Sequence, residues 1–232
     1  MIKASQRLLR HLILATLAVW TPLVASAQWE VKPFGGTPAL WRDGQPVTPM
    51  IFWQSYPLQY EVEAFSKEGI DLFSFFRSGQ HYAHPYWKAD GTFDFTFLDE
   101  GIRELFRFAP HAYCMPRLFA TAPQWWIEQN PGETCRFSVD VKATPRESFA
   151  SDKCLSEMGA AYRQAVRHIV EADYGPRVLG IHVTNGPWGE NFYWDASAPH
   201  SASPPGSDVS EPMRRALIDY ARTKYGNDVA RL

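Results

Sequence analysis

Three observations predict an α/β protein whose parallel sheet is covered by helices. Short apolar runs of strand length alternate with segments whose apolar residues recur every three or four positions. Gly or Pro closes most of these segments, as at Gly69, Pro110, Gly175-Pro176 and Gly226. No GxGxxG or Walker-type Gly loop follows any strand, which counts against a dinucleotide or phosphate fold.

The elements follow in order. Trp41-Arg42-Asp43-Gly44-Gln45-Pro46 reads as a hairpin that turns at Asp43-Gly44. Pro49 to Trp53 is a strand, and Glu61 to Glu68 a short helix that Gly69 ends. Ile70 to Phe76 is the next strand, and a longer helix carries Leu98, Ile102, Leu105, Phe106 and Ala109 on one side before Pro110 stops it. Ala112 to Phe119 forms a third strand, and a loop from Thr121 to about Lys153 leads to a helix striped by Leu155, Met158, Tyr162, Ala165, Val166, Ile169 and Val170. After Gly175-Pro176, the β-branched Val178 to Thr184 is the fourth strand, broken by Asn185-Gly186-Pro187. The last helix opens at a Ser210 cap with Pro212 in its first turn, aligns Met213, Ala216, Leu217, Tyr220 and Lys224, and ends at Gly226. A (β/α) barrel and an open doubly wound sheet both place ligands at the carboxyl ends of such strands.

Lys3, Arg7 and Arg10 precede an apolar run from Leu12 to Val24 and then Ala25-Ser26-Ala27, the three parts of a secretory signal peptide. Thr21 and Pro22 interrupt the run before the roughly 20 residues a bilayer span needs, so export to the periplasm or beyond, with no stable membrane anchor after cleavage, is expected. Removing residues 1–27 leaves 28–232 as one domain, and loss of the three basic residues takes the formal charge from −2 to −5. That mild acidity, without a Lys/Arg stripe, argues against nucleic acid. The 45% hydrophobic and 15% aromatic content suffices for one core, with no Ser/Gly-rich linker to divide it.

Of three cysteines, Cys135 and Cys154 flank a polar loop, whereas Cys114 lies in the apolar Ala112-Tyr113-Cys114-Met115. A Cys135–Cys154 disulfide is expected in an oxidising compartment, contributing roughly 3 kcal/mol by closing the loop. Cysteine spacing and the scarcity of nearby His give no zinc pattern, and no cofactor is implied.

The segments after the four strands combine aromatics with hydrogen-bonding groups: Trp53-Gln54-Ser55-Tyr56, Phe75-Phe76-Arg77, Arg117 to Trp126, and Asn185 to Trp194. A pyranose offers apolar C–H faces to stack and hydroxyls to bind, so this mixture suits a sugar. Glu190, in the turn Asn185-Gly186-Pro187-Trp188-Gly189-Glu190 past the fourth strand, is the candidate catalytic carboxylate. Trp53, Arg117, Trp125, Trp126, Trp188 and Asn185 are the candidate substrate-binding residues. His182 and Thr184 share one strand face, where a lone His reads as a core residue. Asp195, Glu128, Glu133 and Asp140 read as solvated loop acids.

Trp41-Arg42-Asp43-Gly44-Gln45, Ala122-Pro123-Gln124-Trp125-Trp126, the Gly180 to Glu190 strand and turn, and Ala221-Arg222-Thr223-Lys224-Tyr225-Gly226 resemble the N-terminal half of a (β/α)₈ glycoside hydrolase of the large bacterial β-galactosidase type, similar to family 42. The resemblance implies the N-terminal part of a TIM barrel, about four β/α units, from roughly Pro38 to the end. It implies an exported retaining hydrolase of O-glycosyl bonds, with an oligo- or polysaccharide substrate and Glu190 as acid/base. In that family the acid/base Glu directly follows an Asn after the fourth strand, and the nucleophile follows the seventh. Here Asn185 is followed by Gly186, and Gly186-Pro187-Trp188-Gly189-Glu190 is more like the Gly-Pro-x-Gly-Glu turn of β-amylases. On this reading the chain is truncated, lacks the nucleophile strand and has little activity alone, and is expected either to aggregate or to pair with another copy as a homo-oligomer. The competing expectation is a carbohydrate-binding or inactive glycosidase-like protein.

Overall fold

The structure is a computed structural model that describes residues 28–48, 50–75, 85–137, 146–185 and 207–226. It opens with an antiparallel meander of β1 (Trp29–Phe34), β2 (Thr37–Arg42) and β3 (Gln45–Val47). The predicted hairpin is β2–β3, whose turn residues Asp43 and Gly44 have φ of 50° and 77°, the left-handed pair that matches strand twist. The meander meets the amino ends of the strands that follow. Arg42 pairs with Asp71 at 2.5 Å, and Trp29 sets its ring edge-on to Tyr113 with centroids 5.0 Å apart.

The central part is mixed α/β with parallel pairing. β4 (Ile51–Gln54) pairs with β5 (Leu72–Phe75), β5 with β6 (Tyr113–Cys114), and β7 (Arg117–Phe119) with β8 (His182–Thr184), all parallel. The expected third strand is split into β6 and β7 by Met115-Pro116, since Pro has no N–H for a ladder. The fourth strand still runs beside both pieces. Cys114 bridges Val178, Leu179 N donates to Cys114 O at 2.9 Å, and His182 N donates to Pro116 O at 3.0 Å.

Helices α1 (Gln59–Lys67), α2 (Thr96–Phe108), α3 (Gln124–Gln129), α4 (Asp152–Glu171) and α5 (Glu211–Tyr225) fill the connections. The expected loop from Thr121 to Lys153 contains α3 and a 3₁₀ turn, Pro131–Glu133, whose Pro131 takes the first helical position, where a missing N–H costs nothing. Ser151 caps α4 by accepting from Cys154 N, and Ser210 caps α5 by accepting from Met213 N, as that residue type at that place requires. A Cβ at Gly175 would lie 2.7 Å from the carbonyl oxygens of Ile169 and Val170, so only glycine lets the chain leave α4 this tightly.

Register places Phe52, Phe73, Cys114 and Leu118 on the helix-facing side of the strands. There Phe73, Phe75 and Cys114 pack with Leu98, Ile102 and Leu105 of α2 and Ile169 of α4. Leu118 packs with Tyr86, Ala161 and Ala165, while a third cluster joins Ala122, Trp126, Ile127, Cys154 and Met158. His168 and Tyr174 both bind Asp99 Oδ1, at 2.7 and 2.6 Å, locking α4 and the turn after it to α2. The helical stripes are only partly used: Leu155, Val170, Leu217 and Tyr220 remain exposed. Ile102 is fully buried at the centre of the largest cluster, so Ile102→Ala is expected to cost about 2–5 kcal/mol, measurable as a lowered urea midpoint with unchanged slope.

Candidate functional site

Because the meander meets the amino ends of the strands, groups past their carboxyl ends are the ones offered to a ligand. Thr121, past β7, and Asn185, past β8, face each other there. Thr121 Oγ1 donates to Asn185 Oδ1 at 2.8 Å, and Arg146 Nη2 donates to the same oxygen at 3.2 Å. Two donors on one amide oxygen decide which way the Asn185 amide turns.

Arg146 and its neighbour Glu147 are both buried. The guanidinium contacts Glu147 Oε1 at 3.4 Å and lies 4.8 Å from the Phe149 ring centre. Glu147 Oε2 is shut from solvent and has no hydrogen-bond partner among the described residues. Burial pushes the Glu147 carboxyl above its ordinary range, with Arg146 and the backbone amides of Glu147 and Ala122 pulling the other way. Glu147 borders a cavity of about 540 Å³ between the start of α4 and the end of β8. Glu147, Phe149, Leu155, Met158, Tyr162 and Val183 are among its lining residues.

A polar network holds this segment in place. Glu147 bridges Thr134 through the backbone, Cys135 N donates to Arg146 O at 2.9 Å, and Ser151 Oγ donates to Glu133 Oε2 at 2.6 Å. Ser148 Oγ donates to Asp208 Oδ2 at 2.7 Å and lies 3.1 Å from Ser210 Oγ, which anchors the start of α5. Burial works against an ionised Asp208, but the hydrogen bonds from Ser148, Ser210 and Arg136 outweigh it and hold the carboxyl below the ordinary range.

The expected Cys135–Cys154 disulfide is absent: all three cysteines are free thiols. Cys154 is engaged elsewhere, buried in the first turn of α4 against Ala122, Trp126 and Met158. Burial pushes the Cys154 thiol up, reinforced by Glu147, Glu157 and Glu133, and raises Cys135 to about 11.

Of the residues expected to bind a sugar, Asn185 stands at the site described above. Trp53 is half exposed, with Arg117 5.1 Å from its ring centre, on the strand face turned away from the helices. Trp125 is half-buried, its N–H donating to Trp87 O at 3.0 Å. Trp126 is not a platform: it is 1% exposed and donates to Glu157 Oε2 at 2.6 Å, a core residue of the α3–α4 contact. The expectation failed because α3 turns this ring inward. Glu190 and Trp188 lie outside the described residues, as do Asp195, Asp140, Phe76 and Arg77. His182 is exposed rather than in the core, and burial together with the nearby Arg117 lowers its pKa. Glu133 is tied to Ser151, and Glu128 is exposed and bonded to Gln124.

Arg146 and Glu147 were not candidates in the sequence, where they sit in a polar stretch. An adjacent Arg-Glu pair is ordinarily a solvated surface, and only the Ser148-Phe149-Ala150-Ser151 that follows, ending at a helix cap, hinted at an ordered segment. The sequence matches no protein-family model and no curated protein. Among the described residues no helix is long and apolar enough to cross a membrane, and no group of three or more His, Cys, Asp or Glu could hold a metal ion.

Two measurements check this account. Trp126→Ala is expected to destabilise the fold by about 3–5 kcal/mol in chemical denaturation, since it empties a buried site and strands Glu157. Glu147 holds its proton more tightly folded than unfolded, so its contribution is complete below the ordinary value of 4.5 and is lost as pH rises through the folded-state value. The melting temperature of the wild type should therefore fall, relative to that of Glu147→Gln, as pH rises above 4.5.

Proposed function

We propose that this chain is an exported carbohydrate-active protein of the glycoside hydrolase type, with Glu190 as acid/base and an oligo- or polysaccharide as substrate. The observation that carries the reading is the site at the carboxyl ends of two adjacent parallel strands. There Thr121 and Arg146 orient the Asn185 amide beside a buried carboxyl and a cavity of about 540 Å³. Supporting it is Trp53, an exposed indole beside a cation, the kind of surface on which a sugar face stacks.

A (β/α)₈ type of architecture belongs to the same proposal. In a doubly wound sheet the strand order reverses at a switch point. Here the strands neighbour one another in chain order, from β4 through β5 and β6/β7 to β8, with α2 and α4 against one face.

Glycosidic cleavage needs a proton for the departing oxygen and a carboxylate to attack the anomeric carbon or activate water. Glu190 supplies the first. Asn185 positions a sugar hydroxyl near the bond. Chromogenic β-galactosides and β-xylosides, assayed alongside a tryptophan fluorescence titration with the matching oligosaccharides, test the reading. The expected result is binding with only slight turnover by this chain, and loss of that turnover with binding retained in Glu190→Gln. Binding without turnover by the wild type turns the reading to a carbohydrate-binding protein, and neither binding nor turnover overturns both.

A further inference from the structure

We propose that the cavity between α4 and the carboxyl end of β8 is a pocket for a neutral hydroxylated ligand of mono- or disaccharide size, recognised through Glu147 and Tyr162. The choice of a sugar rests on the carbohydrate-active reading above; the pocket itself rests on its lining. Its volume of about 540 Å³ is ample for such a molecule. Phe149, Leu155, Met158 and Val183 supply apolar surface for C–H faces, and the polar groups are few.

One atom of each of two of those groups is left without a hydrogen bond among the described residues. Glu147 is 3% exposed, and neither its Oε2 nor the buried hydroxyl of Tyr162, which lines the same cavity, has a hydrogen-bond partner among the described residues. Buried polar atoms are otherwise almost always paired, so two on one cavity wall point to a ligand that pairs them. Neither atom touches solvent as the side chains stand. Ligand entry therefore moves a neighbour, and Met158, unbranched and adaptable, lies on the same wall. Leu155 and Val183 form the open side, 62% and 54% exposed.

The charges around Glu147 select the ligand. Arg146 adjoins it, and Arg163 lies on the cavity wall. Glu133 and Asp208 lie on the segments packed against Arg146 and Ser148, Glu157 is on α4, and the Cys135 and Cys154 thiols stand close by. The cations disfavour a cationic ligand, and the acids disfavour an anionic one and a second ionised carboxylate alike. A neutral carboxylic acid offers one donor and one acceptor, and the phenol the same, which suits adjacent sugar hydroxyls.

The test is titration calorimetry of the full chain with methyl β-galactoside and lactose, in mildly acidic and mildly alkaline buffer. Wild-type affinity is expected to fall as pH rises and Glu147 ionises. Glu147→Gln, which imitates the neutral acid, should bind within about threefold of wild type without that pH dependence, whereas Glu147→Ala and Tyr162→Phe should each lose about tenfold. Val183→Phe narrows the open side without touching either polar atom and should block binding even where the alanine variant misfolds. Sugar binding that survives Val183→Phe, or Glu147→Gln weakening binding as much as Glu147→Ala, overturns the pocket. Glu190→Gln reports separately: turnover lost in a wild-type-like binder supports the hydrolytic reading, and absent wild-type turnover removes that reading while pocket-dependent binding stands.

Discussion

Parallel pairing is the constraint on which the rest of this structure depends. Two parallel strands cannot be joined by a tight turn, so each connection must travel back along the sheet, and a helix is the compact way to do it. β4, β5, β6 and β8 each start at the same end, which sends α1, α2 and α4 across the returning path. The apolar residues of strand and helix then meet in one layer, where Phe73, Phe75, Leu98, Ile102, Leu105 and Ile169 are all nearly or fully buried. The β1–β3 meander meets the amino ends through Arg42, Asp71, Trp29 and Tyr113, and the polar contacts of Thr121, Arg146 and Asn185 lie at the opposite end.

The long passage from β7 to α4 is held without a covalent bridge. It runs through α3, whose Trp126 is buried against Cys154 and Met158, and then through a set of hydrogen bonds at Glu133, Arg146, Ser148 and Ser151. Each such bond is worth only about 0.5–1.5 kcal/mol net, but together they converge on the cap of α4 and, through Asp208 and Ser210, on the cap of α5. The polar network does the pinning that a disulfide would otherwise do, and leaves Cys154 as a small core residue.

Arg146 and Glu147 stand apart from the surface ion pairs. Arg214 with Glu211 and Arg103 with Asp173 are exposed, so solvent screens them and they contribute little. Burying the Arg146 guanidinium carries a desolvation penalty on the order of several kcal/mol, which a contact of 3.4 Å to one Glu147 oxygen returns only in part, while burial drives the Glu147 carboxyl towards its neutral form. A fold under pressure for stability alone is better served by apolar residues at these positions. Glu147 lines the cavity and Arg146 holds Asn185, the two features on which the proposed function rests.

Local chemistry settled much of the architecture in advance. The Asp43-Gly44 turn, the Ser151 and Ser210 caps, the stops after Gly69, Pro110 and Gly226, and the helical spacing of Leu98, Ile102 and Leu105 each depend on residues a few positions apart, so they could be read from the chain. Only the tertiary structure decided which faces of those elements are covered. Leu155 and Val170 share the α4 stripe with Met158 and Ile169, yet stay exposed, and Trp126 turns into the core while Trp53 does not. The site divides in the same way. Asn185 could be picked out because it directly follows a strand, whereas Thr121, Arg146 and Glu147 converge on it across 64, 39 and 38 residues of sequence. Their burial and hydrogen bonding come from how α3 and α4 pack on β7 and β8, a three-dimensional arrangement that no spacing along the chain encodes.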